Sequence, residues 1–291
     1  MKVTTILKKR IKRKKILQLP GIYDGLTAKL VRHAGMEAAY LSGACLSMGL
    51  LGQPDVGLIS FNEVLNQARY LVNALGEIPL VVDADTGFGN AINMIRTIQE
   101  LESVGVAGIQ IEDQVTPKKC GHFEGKQVIS TEEMVLKIEA AKDTRKDPDF
   151  VIIARTDARA ILGIDEAIRR ARAYRKAGAD VLFVEAPQSE EELRRLPKEL
   201  NAPLLANMVE GGKTPLFSAQ ELEEMGFSIA LFPGSLQRAA FHAFLKVLDV
   251  LKRDGKTIAL EKEMISFARR NEIIGLQTIY ELEKRYLATK E

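Results

Sequence analysis

The sequence predicts a parallel (β/α)8 TIM barrel, and three observations carry that expectation. Eight short, nearly continuous apolar runs recur along the chain, the pattern of strands buried on both faces. Helix-patterned stretches separate them, opening on polar caps and closing on glycines. The alternation fills about 250 residues, the usual span of eight such units. An open doubly wound sheet is the competing architecture. It needs fewer strands and a glycine-rich first turn; Gly21 and Gly25 lie near the first run, but the dinucleotide-binding fingerprint is missing.

The basic run KKRIKRKK, Lys8 to Lys15, reads as the solvated face of a first helix, with Ile6, Leu7 and Ile11 on its other side. Docking on phosphates or anionic lipid is the rival reading. The strands follow as ILQLP (16–20), AAYLSG (38–43), PLVVDAD (79–85), GIQIED (108–113), FVIIART (150–156), VLFVEA (181–186), PLLANMV (203–209) and IALFP (229–233). Between them, residues 24–35 open on Asp24 and close on Gly35, and 61–75 end before Gly76. Residues 90–104 start on Asn90 and stop at Gly105, 131–142 open on Ser130-Thr131-Glu132-Glu133, and 165–177 run from Asp165 to Gly178. Shorter helices at 190–195 and 218–225 precede a long one from Ser235 to Asp254. The whole chain, 1–291, reads as one barrel domain, with 255–291 an amphipathic helical tail suited to an oligomer contact.

Composition narrows the function classes. With 46% hydrophobic residues the chain can bury a substantial core. Its 41 Lys and Arg nearly balance 39 Asp and Glu, so no global polycation is available to hold nucleic acid. No apolar run approaches the ~18 residues of a membrane span, and the basic N-terminus lacks the apolar core of a secretion signal. Cys45 and Cys120 make neither a disulfide framework nor a metal-binding spacing, so a reducing cytoplasm is the expected compartment. Neither nucleic acid nor membrane is expected as a partner.

Where the apolar runs end is more informative. They terminate at Ser42-Gly43, Asp83 and Asp85, Glu112-Asp113, Arg155 and Asp157, Glu185, and Asn207 with Glu210. In a barrel all these ends share one mouth. Asp83 and Asp85, two apart, are expected on the same side of their strand, with Glu112 on the neighbouring one. Three carboxylates that close repel unless a cation or proton intervenes. With oxygen ligands alone, Mg²⁺ or Mn²⁺ is the expected ion, and a salt-bridge network with Arg155 and Lys118 is the alternative. The segment DTGFGN (85–90) reads as a strand-to-helix turn rather than a phosphate cradle, because a lone Gly-x-Gly is weak evidence.

The loop TPKKCGHF (116–123) places Cys120 beside Lys118, Lys119 and His122, with Gly121 and Gly125 as joints. Neighbouring positive charge is expected to lower the thiol pKa. A loop able to close over the mouth suits a proton donor better than a nucleophile, which needs a fixed base and an oxyanion hole. Cys45 in its apolar turn is expected to be inert, His33 to lie on a helix surface, and His242 to be packed within its helix.

KKCGH after IEDQ, DADTGFGN before it and ARTDA after it resemble the isocitrate lyase and phosphoenolpyruvate mutase superfamily, most closely its methylisocitrate lyase branch. The resemblance runs from about Leu19 into the tail. It implies a (β/α)8 barrel whose last helix swaps between subunits of a homotetramer. It implies Mg²⁺ at Asp83 and Asp85, with Asp55 and Glu112 reaching it largely through water. Substrate contacts are implied for Tyr40, Ser42, Gly43, Ala44, Cys120, Gly121, Arg155, Glu185, Asn207 and Arg238. The implied activity is cleavage of a 2-hydroxy di- or tricarboxylate, 2-methylisocitrate giving pyruvate and succinate. Arg155, Lys118 and His122 would hold the spreading negative charge and Cys120 would protonate the carbanion.

Within the superfamily, Arg238 matches an arginine that meets a further carboxylate, and Pro233 matches the lyase pattern where oxaloacetate hydrolases tend to carry Ser. NMVEGGKTP (207–215) looks more like dimethylmalate lyases and carboxyphosphonoenolpyruvate mutases. Phosphoenolpyruvate mutases lack the KKCGH cysteine, which disfavours phosphorus–carbon chemistry. A non-catalytic binder acting through Lys8–Lys15 is the remaining class; it would have no need for a thiol, acids and an arginine converging on one mouth.

Overall fold

The computed structural model describes residues 1–287. The chain runs α1 (Val3–Lys12), β1 (Leu17–Ile22), α2 (Gly25–His33), β2 (Ala39–Leu41) and α3 (Gly43–Leu46), which passes into a π-helical turn at Ser47–Leu51. It continues through α4 (Phe61–Leu75), β3 (Leu80–Asp83), α5 (Ala91–Ser103), β4 (Gly108–Glu112), α6 (Thr131–Thr144), β5 (Val151–Thr156), α7 (Arg159–Leu162) and α8 (Ile164–Ala177). Then come β6 (Val181–Val184), α9 (Glu190–Glu199), β7 (Leu204–Asn207), α10 (Ala219–Met225), β8 (Ile229–Phe232) and α11 (Ser235–Asp254). A 3-10 turn at Ile258–Glu263, α12 (Phe267–Ile274) and α13 (Leu276–Tyr286) complete the described residues. The eight strands pair in parallel in chain order, and β8 returns to β1 to close the barrel.

All eight apolar runs became strands, because each can be buried on both faces; every residue of β5, VIIART, is buried. The caps read in the sequence act as caps. Asp24 and Asn90 each form reciprocal boxes with the residue three positions on, Ser130 accepts from the Glu133 N–H without the reciprocal bond, and Ser60 and Ser218, not singled out in the sequence, also form boxes. Asp165 is a correction: α8 starts at Ile164 after Gly163 without a side-chain cap, and the acid sits inside the first turn. The first strand also extends past 20 to Ile22, which brings Gly21 against β8; a Cβ there would collide with the Pro233 carbonyl.

The core has two layers. One lies between strands and helices. The other fills the barrel with Leu17, Leu19, Tyr40, Val81, Ile153, Phe183 and Leu231, and it includes Leu7 and Ile11 of α1. Because that cluster also contains Ala38, Ala107, Val151 and Ile229 from the beginnings of strands, α1 plugs the N-terminal end of the barrel. The basic run follows from this: its apolar face is the plug, and Lys8 and Arg10 on the outer face meet Asp149 at 3.5 Å and Glu37 at 3.0 Å.

The tail behaves differently. Of the twenty residues of α11 only Gln237 and Val250 are buried, and Phe241, Phe244, Leu245 and Leu248 are exposed. His242, expected to be packed, is exposed with them because nothing in the single chain covers that flank. His33 lies exposed on α2 as expected, and its Nε2 is 2.7 Å from Arg269 Nη2, where α12 packs on α2. Residues 288–291 of the expected tail lie outside the described residues. No helix among the described residues is long and apolar enough to cross a membrane.

Leu7 is fully buried in the plug. Leu7→Ala is therefore expected to cost about 3 kcal/mol of stability by urea unfolding, the usual loss for a deleted core leucine; a loss below about 1 kcal/mol would show that α1 is not part of the core.

Candidate active site

The C-terminal ends of the strands surround a cavity of about 290 Å³. Its wall includes Tyr40, Ser42, Ala44, Asp55, Asp83, Lys118, Cys120, Gly121, His122, Arg155, Glu185, Asn207 and Arg238. Thirteen of the sixteen residues singled out in the sequence thus meet on one surface. The other three are bonded to that wall. The Gly43 N–H donates to Asp83 Oδ2 at 3.3 Å, Asp85 Oδ1 is 2.9 Å from Lys118 Nζ, and Glu112 Oε2 is 3.3 Å from Arg155 Nη1.

The acids come together by a route other than strand alternation. β3 ends at Asp83, and Asp85 lies beyond it with φ +47°, a left-handed conformation that a non-glycine residue adopts at a cost. The Asp85 N–H donates to Asp83 Oδ1 at 3.2 Å. A Cβ on Gly43 would stand 3.0 Å from Asp83 Oδ2 and 3.3 Å from Asp85 Oδ1, so the glycine is what lets both carboxylates approach the start of α3. Burial pushes the Asp85 carboxyl up to about 7, against the pull of Lys118, and drives Glu112 well above the usual carboxylate range.

Lys118 supplies the counter-charge. Its Nζ lies 2.5 Å from Asp55 Oδ1 as well as 2.9 Å from Asp85 Oδ1. Burial opposes that charge, but Asp85, Glu112 and Asp55 outweigh it and hold the ammonium well above its ordinary pKa. The salt-bridge alternative of the sequence is therefore what the polypeptide forms by itself. Among the described residues no three His, Cys, Asp or Glu side chains gather closely enough to hold a metal unaided. One buried carboxylate oxygen at this end, Glu112 Oε1, nevertheless has no hydrogen-bond partner, and Asp85 Oδ1 has only the Lys118 ammonium.

Across the cavity Arg155 is gripped by Asp157, Nε to Oδ2 at 2.9 Å and Nη2 to Oδ1 at 3.0 Å, and its guanidinium stacks 5.2 Å from the Phe183 ring. Glu185 receives Asn207 Nδ2 at 3.2 Å and faces His122 Nε2 at 3.3 Å. His122 Nδ1 accepts the Lys213 N–H at 3.2 Å, which places the proton of the neutral ring on Nε2. Burial lowers its pKa, so His122 is a neutral donor rather than a cation. The Tyr40 hydroxyl lines the cavity but is already committed, donating to Gln110 Oε1 at 2.6 Å.

Cys120 sits in a loop whose stem is held by the antiparallel bridge between Gln114 and Val128. The expectation of a lowered thiol pKa is overturned. Burial raises it, with Asp55 and Glu185 adding to the rise and the His122 N–H and Arg155 opposing it. Lys118 and Lys119 do not offset this, because Lys118 is spent on carboxylates and Lys119 Nζ points away to the Gly125 carbonyl at 3.2 Å. Cys45 is buried, contacts the Pro233 carbonyl at 3.2 Å and is pushed up to about 11, as an inert thiol should be. Gly121 has no room for a side chain, since a Cβ would meet Arg155 and Glu185. Arg238 stands at the rim, more than half exposed, bonded to the Glu210 carbonyl with the Glu210 carboxylate 3.8 Å away.

Sequence reasoning missed several wall and support residues. Gln110, flanked by Ile109 and Ile111, links Tyr40 to Glu112. Gln237 Nε2 holds the Cys45 carbonyl at 2.9 Å. Lys126 looks like any polar loop residue yet is buried. For Gln110 a signal existed, since a polar residue inside an apolar strand demands a partner.

Lys118→Met would leave Asp55 and Asp85 buried without a counter-charge, at an expected cost of about 3 kcal/mol at neutral pH and above. Asp85 has its raised pKa of about 7 only in the folded protein, so between the ordinary carboxylate range and 7 folding takes up a proton. Its contribution favours the fold at low pH and is lost as pH rises through about 7. The variant's deficit in urea unfolding should therefore be smaller at about pH 6 than at about pH 8.5; equal deficits would show that Asp85 is not the responsive group.

The family profile of phosphoenolpyruvate phosphomutase matches residues 7–251 of the chain. The 2,3-dimethylmalate lyase of Eubacterium barkeri is 46% identical over 286 residues, spanning 98% of this chain and 99% of that one. The 2-methylisocitrate lyase of Aeropyrum pernix is 44% identical over 281 residues, 96% and 89% of the two chains. The crystal structure of a 2,3-dimethylmalate lyase, a member of the PEP mutase/isocitrate lyase superfamily, superposes with a TM-score of 0.92 at 38% identity, covering 98% of this chain and 95% of the other. With its closed parallel barrel and acid-rimmed mouth, the chain belongs to the phosphoenolpyruvate phosphomutase family, within the PEP mutase/isocitrate lyase superfamily.

Proposed function

We propose that the protein is a Mg²⁺-dependent lyase that cleaves 2-methylisocitrate to pyruvate and succinate. The observation that carries this reading is the convergence on one cavity of a carboxylate cluster, a buried arginine and a thiol kept protonated by burial. The donor set fits a hard divalent ion. Glu112 Oε1 is a buried oxygen without a partner, Asp85 Oδ1 is answered by the Lys118 ammonium alone, and Mg²⁺ characteristically takes one or two carboxylates and leaves its other positions to water and substrate. Asp85 and Asp83 would hold the ion, with Asp55 and Glu112 behind water. Bound there, it would lower the pKa of a substrate hydroxyl and offset charge on the forming keto acid.

The chain's own groups account for the rest. Glu112, as the carboxylate that faces Arg155 Nη1 at 3.3 Å, accepts the hydroxyl proton and becomes the neutral acid that its buried position favours. As the carbon–carbon bond breaks, its electron pair passes to the carbon beside the second carboxylate, and Arg155, fixed by Asp157 and Phe183, faces that growing charge. His122 donates from Nε2, and Cys120 delivers the proton that completes succinate. Ser42, Gly43, Ala44, Gly121 and Asn207 shape the pocket around the substrate. Arg238 at the rim meets the third carboxylate of a tricarboxylate.

One observation favours a second reading, 2,3-dimethylmalate, which has two carboxylates and yields pyruvate with propionate. Arg238 is tied to Glu210, and the cavity wall also includes Met48, Phe123, Val209, Leu231 and Pro233, surfaces suited to methyl groups. Phosphonomutase and oxaloacetate hydrolase activities on this scaffold stand behind both readings, since neither calls for the Cys120 loop together with Pro233. The uncovered face of α11 supports assembly through that helix into a homotetramer, and two free cysteines suit a cytoplasmic setting.

With Mg²⁺ and racemic 2-methylisocitrate the protein should release pyruvate, measured by coupling to lactate dehydrogenase, and a chelator should abolish release. Cys120→Ser should lower turnover by about a hundredfold or more; undiminished turnover removes Cys120 as the proton donor. Arg238→Met should raise KM for the tricarboxylate only. Turnover of 2,3-dimethylmalate without turnover of 2-methylisocitrate selects the second reading.

A further inference from the structure

Lys126 lies six residues beyond Cys120 in the loop that covers the cavity, and its side chain is only 2% exposed. Its Nζ donates to the Gly121 carbonyl and lies 3.2 Å from Asp157 Oδ1. That carboxylate is the one that grips Arg155 through both oxygens. Gly121, the residue after the thiol, is pressed so closely against Arg155 and Glu185 that a methyl group would not fit. Lys118 ties the start of the loop to Asp55 and Asp85, whereas Lys126 reaches the carboxylate that holds Arg155. Lys119 reaches Gly125 within the loop itself, and the Lys213–Glu124 pair is exposed.

We infer that Lys126 is a positioning residue, a latch that seats the Cys120 loop on Asp157 and so sets the thiol's place relative to Arg155. An ammonium buried between a carbonyl and a carboxylate holds the loop backbone, not only a side chain. Release is also feasible. When the loop lifts, Lys126 regains water while Asp157 keeps Arg155 as its counter-ion, so no carboxylate is stranded. Because the Lys126 ammonium of the loop and the Arg155 guanidinium share one anion, seating the loop and orienting Arg155 are a single event. The turnover part of this inference rests on the lyase reading above; the structural part does not.

The test uses the full-length protein and two readouts. Lys126→Met, which keeps the side-chain length and removes the charge, should let iodoacetamide alkylate Cys120 about tenfold faster, with Cys45 as internal reference by mass spectrometry, while Lys126→Arg restores slow labelling and Lys119→Met leaves it unchanged. On the substrate that the protein turns over, Lys126→Met should lower kcat by about a hundredfold, more than it moves KM, and Lys126→Arg should recover part of it. Equal labelling of wild type and Lys126→Met overturns the latch even if the lyase reading stands, and a wild type without lyase turnover leaves the labelling result intact. Should Lys126→Met fail to fold, hydrogen exchange of the wild type decides. The latch requires the Cys120 and Phe123 amides, bonded to the Asp55 and Cys120 carbonyls, to exchange far more slowly than free peptide; unprotected exchange there overturns it.

Discussion

Asp157 is the anion on which the mouth of the barrel is organised. It is wholly buried, and a carboxylate there is tolerable only with counter-charge and hydrogen bonds in place. Burial works against its charge, but Arg155 and Lys126 prevail and keep it ionised below the usual range. The demand propagates in both directions. Outward, Arg155 is fixed over Phe183 and beside Glu112. Inward, the Asp157 N–H donates to Asp113 Oδ1 at 2.9 Å, and Asp113 is held by Thr156, Tyr174 and Arg170. A helix on the outside of the barrel, α8, thereby helps set the pose of an arginine on the cavity wall.

The same competition between burial and charge decides the other titratable groups. Cys120 has cations nearby in sequence, yet in three dimensions those cations are engaged elsewhere and desolvation dominates. The thiol is thus a better acid than nucleophile at neutral pH. His122 loses its charge for the same reason, whereas Lys118 keeps its own because three carboxylates surround it.

Much of this was readable from the chain. Strands buried on both faces announce themselves by composition, and barrel topology sends their C-terminal ends to one rim, so residues as distant as Asp83 and Asn207 were bound to meet. What escaped is what depends on one residue's local exception. Nothing in the order Asp-Ala-Asp reveals that Asp85 leaves the strand in a left-handed turn. A lysine such as Lys126 in a polar loop carries no mark of burial. The short α3 and its π-helical continuation are too brief for a periodic pattern to register. His242 was misjudged because amphipathic periodicity shows that a helix has an apolar face, not that the same chain covers it.

The plug formed by α1 has a consequence for traffic. Leu7 and Ile11 seal the floor of the barrel, and its interior is filled with side chains, so among the described residues the cavity is reached from the rim, where Cys120, Gly121 and His122 form part of the wall. Whatever enters and whatever leaves must use the same passage in turn. Under the lyase reading proposed above, the two fragments would leave through that same rim, past the Cys120 loop. The floor therefore sets the rhythm of the ceiling.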